Sequence, residues 1–155
     1  MPQMNKGGKF IIGKSMVRPM GAVRVPPQAV SEYDIAAEGR VYLFTGSKVT
    51  GGFCVTRKGL LGPSKLGHLL EETPPLRQYE LAPGAFLRYK GRWYAWAPIT
   101  PQGELHLPNA ALDFLNLEPG MELLCIRSSD IAFTLGAKGP LLERAERYEG
   151  VIETF

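Results

Sequence analysis

The strongest constraint on what this chain can fold into is a segment pattern that occurs twice. It consists of a glycine turn, a short strand ending in proline five residues later, a short helix, and a second glycine followed by a hairpin. One copy runs Gly103-Glu104-Leu105-His106-Leu107-Pro108, a helix over 109–115, Leu117-Glu118-Pro119-Gly120, and a hairpin over 121–135. The other runs Gly21-Ala22-Val23-Arg24-Val25-Pro26, a helix over 27–33, Gly39, and a hairpin over 40–56.

Each piece has a physical basis. Leu105 and Leu107 alternate as strand positions, and Pro108 ends the ladder while setting φ for a helix start. Ala111, Leu112 and Leu115 recur at helical spacing, and Pro119-Gly120 is a stop signal. Leu123 and Cys125, then Ile131, Phe133 and Leu135, alternate on either side of Arg127-Ser128-Ser129-Asp130, which reads as a hairpin loop. A looser third version lies between the two copies: Lys58-Gly59-Leu60-Leu61-Gly62-Pro63, a helix over 64–72, a Thr73-Pro74-Pro75 break, and a hairpin of 85–89 against 92–97. The reading that follows is an N-terminal tail over 1–13, units over 14–56, 57–98 and 99–136, and a C-terminal helix and tail over 137–155, with the helix at 141–148.

The stretch from Gly103 to Leu123 resembles the AbrB/MazE/SpoVT family of transition-state regulators and antitoxins. Val23-Arg24-Val25-Pro26 with Gly39-Arg40-Val41 resembles it next best. The resemblance implies a mainly β fold with short helices, in which tandem swapped-hairpin units form an intertwined barrel that binds DNA across one face without a cofactor. In that family one unit cannot bury its own apolar surface, so two units here would pair within the chain, and the odd third would either self-associate, giving a homodimer, or be a degenerate copy that caps the fold. Members that bind DNA carry Arg or Lys after the turn glycine and along the helix. Here the turn positions are Ala22, Leu60 and Glu104, and the helix positions are Val30, Ser31, Leu112 and Asp113, so the third unit reads as structural.

Charge divides the chain. Residues 1–66 carry ten Lys/Arg against three Asp/Glu, and residues 67–155 carry eight against twelve. Phosphate contact needs cations near exposed turns, which selects Lys14 and Arg18 before the first turn and Arg24 on its strand. Arg57 and Lys58 before the second turn, and Lys65 on the helix after it, complete the set. The run from Arg88 to Trp96 interleaves cations with aromatics and suits either base stacking or a core strand. Trp93 and Ala95 share one face of that strand, Tyr94 and Trp96 the other.

Enzyme chemistry finds no support. His68 and His106 are the only histidines, and no zinc-ligand spacing, phosphate loop or nucleophile elbow occurs. Cys54 and Cys125 sit in apolar stretches and read as reduced core residues, and Met16, Met20 and Met121 as gap fillers. The absence of a long apolar run or signal-like N-terminus predicts a cytoplasmic protein with no membrane contact. The expected function is DNA-binding transcriptional regulation. The alternative is a non-catalytic interaction or scaffold module that kept the fold and lost DNA binding.

Overall fold

A computed structural model of the chain describes residues 11–45, 50–139, 142–143 and 152–155. The first copy opens with strand β1 (Ile11–Met16), a 3-10 turn (Pro19–Gly21) and the short strand β2 (Ala22–Arg24). Helix α1 (Pro27–Tyr33) and the hairpin β3 (Arg40–Thr45) and β4 (Phe53–Thr56) complete it. Next come three short helices, α2 (Lys58–Leu61), α3 (His68–Glu72) and α4 (Pro74–Arg77), and strand β5 (Leu87–Tyr89). The second copy holds β6 (Arg92–Pro98), β7 (Glu104–His106), α5 (Asn109–Leu115), β8 (Glu122–Arg127) and β9 (Phe133–Gly136). The protein is therefore mainly β with a few short helices.

The two copies pair reciprocally. β2 lies antiparallel to β7, β1 pairs with β8 as β6 pairs with β3, and β4 meets β9. The same interval that separates Val23 from Leu105 separates Pro26 from Pro108 and Val17 from Ile99. Hydrogen bonds follow it: Val25 N–H donates to the Gly103 carbonyl (2.8 Å) and Leu107 N–H to the Gly21 carbonyl (2.9 Å). Val17 N–H donates to Met121 (2.9 Å) as Ile99 N–H donates to Gly39 (3.1 Å). Exchange of equivalent bonds in both directions is the signature of a two-fold relation. The helices also end alike. Asp34 (φ 48) and Asn116 (φ 57) take the left-handed conformation that short polar side chains tolerate, and their N–H groups bond back to the last turn. Asn116 thus stops α5 before Pro119-Gly120 is reached.

The seven strands of the main sheet run in the order β1-β8-β9-β4-β3-β6-β5, with the β2–β7 ribbon separate. One face carries Val41, Leu43, Phe53, Val55, Leu123, Cys125, Phe133 and Leu135 and packs under the ribbon, α1 and α5. On the other face Tyr42, Phe44, Cys54 and Tyr94 are covered by Leu61, Leu69, Leu70 and Leu76 of the three short helices. Ile11, Leu124 and Ile126 are covered there by Leu142 and Ile152. Burial on both faces explains why β4 and β9 are buried along their whole length rather than at alternate positions.

Several expectations need correction. The expected barrel is not closed among the described residues: β1 and β5 are edges. The β1 edge is occupied by the chain's own end, where Lys14 N–H donates to Glu153 and Phe155 N–H to Lys14 (2.9 and 2.8 Å). The β5 edge is short and basic, with Arg88 within it and Lys90 in the turn that follows, a composition that discourages further pairing. The helix expected over 64–72 forms only as α3, because residues before it are held in a turn, the Ser64 hydroxyl donating to the Leu61 carbonyl (2.6 Å) and accepting from Leu66 N–H (3.1 Å). The tail expected over 1–13 enters β1 at Ile11. The helix expected at 141–148 and the basic residues Lys6 and Lys9 lie outside the described residues, apart from 142–143.

Two tyrosines tie the layers together. The Tyr42 hydroxyl donates to the Leu76 carbonyl of α4 (3.2 Å), and the Tyr33 hydroxyl to the Ser129 carbonyl of the second hairpin loop (2.7 Å). Burial pushes both hydroxyls well above the ordinary tyrosine value of 10.0. The unfolded chain loses these protons near its ordinary value while the folded chain keeps them. Their contribution to stability is therefore complete below pH 10.0 and declines as pH rises above it. Urea midpoints measured across that range should fall with rising pH, and less steeply for Tyr42→Phe.

Candidate nucleic-acid interface

The six cations selected from the sequence lie in three places. Arg18 and Arg24 are exposed beside the β2–β7 ribbon, Arg18 after β1 and Arg24 on β2. Between them the turn carries Met20 at φ 68 with 93% of its surface exposed. Met20 was expected in the core. It follows Pro19 at the tip of the turn, where the left-handed backbone turns its side chain to solvent.

Lys58 and Lys65 belong to the helical segment on the other face of the sheet, and Arg57 sits at the junction. Arg57 is engaged: its Nε donates to the Tyr33 carbonyl (3.2 Å) and Nη1 to the Glu38 carboxylate (2.9 Å). Glu38 also accepts from Gly59 N–H (2.9 Å), so the pair clamps the end of α1 to the start of α2. The Lys58 ammonium lies 4.4 Å from the Tyr79 ring centre, and the Arg40 guanidinium lies 4.5 Å from the same ring. Tyr79 stacks on Tyr42 and meets the edge of Trp96. Cation–aromatic packing of this kind is part of how the helical segment holds the sheet. Lys65 is exposed. Lys14 is mostly buried on β1, its ammonium 4.0 Å from Glu122. The six are thus spread over separate parts of the surface, and Arg18 and Arg24 are the two that are exposed beside the ribbon.

The ribbon is not uniformly basic. Glu104 stands opposite Arg24 in the ladder, and the His106 imidazole lies 3.4 Å from Glu104. On α1, Glu32 forms an ion pair with Arg127 of β8.

The aromatic strand splits as its alternation requires. Tyr94 is buried against Phe44 and the helical segment, and the Trp96 indole donates to the Leu81 carbonyl (2.7 Å). On the other side Trp93 meets Phe114 edge-on at 5.3 Å, and Phe114 stacks on Phe86 at 4.4 Å. Phe114, on the outer side of α5, remains 40% exposed. This trio escaped sequence reading because Phe86, Trp93 and Phe114 are brought together only by the fold.

Among the described residues no group of three His, Cys, Asp or Glu side chains is placed to hold a metal ion, and no helix is long and apolar enough to cross a membrane. Both cysteines are buried free thiols, and burial pushes each above its ordinary value. No family model matches the chain, and no curated protein sequence matches it.

Proposed function

We propose that this chain is a cytoplasmic, non-catalytic DNA-binding regulator of the AbrB-like type, in which two swapped-hairpin units are joined in one polypeptide. The observation that carries the reading is the reciprocal pairing of the two copies: β2 with β7, β4 with β9, and each leading strand with the other copy's hairpin. In that family two chains interleave their hairpins to make a DNA-binding unit. Reciprocal pairing inside one chain supports a comparable arrangement here, and residues 57–86 cover the sheet face that would otherwise be bare. DNA contact is assigned to Arg18 and Arg24, which flank the exposed first turn.

Fluorescence anisotropy with mixed duplex DNA at low and moderate salt tests this. Binding should weaken steeply as salt rises, and R18E/R24E should lose at least about tenfold in affinity as two phosphate contacts become repulsions. K65E, an exposed lysine on the other face, should bind as wild type does. Arg57 is unsuitable for charge reversal, since Glu at that position would break its bonds to Tyr33 and Glu38 and report on folding. Equal binding by R18E/R24E and wild type, or no salt-sensitive binding, would reject the assignment. The second reading, a protein-interaction module, is favoured by the half-exposed Phe86, Trp93 and Phe114 trio. It predicts that Phe114→Ser abolishes partner capture while leaving the fold intact.

A further inference from the structure

We infer that the chain reads an asymmetric DNA sequence, engaging one half-site through its first copy only. The inference rests on the DNA-binding reading above and concerns what kind of duplex that site can take.

Reciprocal pairing allows the two copies to be compared position by position on the exposed face. Arg18 N–H donates to Ala22 (2.9 Å) and Thr100 N–H to Glu104 (3.0 Å), so Arg18 and Thr100 occupy equivalent places. By the same interval Met20 corresponds to Gln102, Arg24 to His106, Ser31 to Asp113 and Glu32 to Phe114. The two halves of the face have matching backbones and unlike chemistry.

The first half offers two guanidinium groups. The second offers none: the sequence has no Lys or Arg between Arg92 and Arg127, and Arg127 is committed to Glu32. Thr100 spends its hydroxyl on Glu104 N–H (3.0 Å), His106 faces the Glu104 carboxylate, and Asp113 and Glu118 are exposed. Phosphates approaching this half meet carboxylates instead of cations. A two-fold dimer with equivalent cations on both halves reads two half-sites related by a dyad, because duplex symmetry mirrors protein symmetry. This chain keeps the backbone symmetry and carries the phosphate-binding groups on one side, so a single chain has a single half-site to offer.

Selection of bound duplexes from a random pool, with the mass of the complex checked by light scattering, is the test. Wild type should enrich a motif without dyad symmetry wherever one chain occupies one duplex, and an inverted repeat should appear only in complexes holding two chains. Introducing cations at the equivalent positions, T100R/H106R, should steepen the dependence of log affinity on log salt by about 2 and bring a dyad into the selected motif of 1:1 complexes. His106→Arg alone leaves the Thr100 bond in place and should steepen it by about 1. An inverted repeat selected by a single wild-type chain, or no steepening in either variant, would overturn the inference while DNA binding itself stood. Failure of the wild type to bind any duplex would overturn both.

Discussion

Gly21→Ala should destabilise the protein by about 4 kcal/mol, combining left-handed strain with a collision that cannot relax. Gly21 has φ +77, and a β-carbon there would lie 1.9 Å from the Leu107 carbonyl oxygen. The obstacle is backbone of the other copy, not a side chain that could rotate away, and the Gly21 carbonyl itself accepts from Leu107 N–H (2.9 Å). Relief therefore requires parting the ribbon from the adjoining turn. Gly39→Ala is the control: its φ is +70 but nothing lies within 4 Å of the added carbon, so only the backbone cost of about 1 kcal/mol applies. Urea unfolding of both variants separates the two terms. Similar losses for Gly21→Ala and Gly39→Ala would show that the ribbon does not press on the turn.

Phe133→Ala should cost about 4 kcal/mol, the usual loss for removing a fully buried aromatic side chain. Phe133 has no exposed surface, faces Val55 across the β4–β9 seam, and packs its ring 5.2 Å from that of Tyr33. It belongs to the second copy while Val55 and Tyr33 belong to the first, so the cavity opens between copies. The loss should be global. Tryptophan fluorescence, which reports on Trp93 and Trp96 in the second copy, should follow the same urea curve as circular dichroism of the whole chain. Separate transitions would mean that the copies fold as independent units.

Local order was legible before the fold was. Pro26 and Pro108 mark where α1 and α5 begin, and both hairpins lie where alternating apolar residues put them. Which strand of one copy lies beside which strand of the other was not legible, because the periodicity of β2 or β8 is the same whichever strand is its neighbour. The middle segment was legible in part, its hairpin forming as β5 with β6. Its Gly, Pro and hairpin signals are real turns and strands, yet residues 58–77 form three short helices over the outer sheet face, where β3 and β4 present Tyr42, Phe44 and Cys54.

The candidate site divides along the same line. That the first half of the chain is basic follows from composition, and so does the lack of any Lys or Arg between Arg92 and Arg127. Which cations are available follows from geometry. Arg57 is held by Glu38 and Tyr33, Lys58 lies on Tyr79 and Lys14 is mostly buried, while Arg18 and Arg24 remain exposed beside the ribbon. Residue order encodes what depends on near neighbours: where turns fall, where helices start, and which side of a strand is apolar. Pairing between distant strands, and the partners each charge finds, depend on which surfaces meet when the copies close on one another, and that is settled in three dimensions.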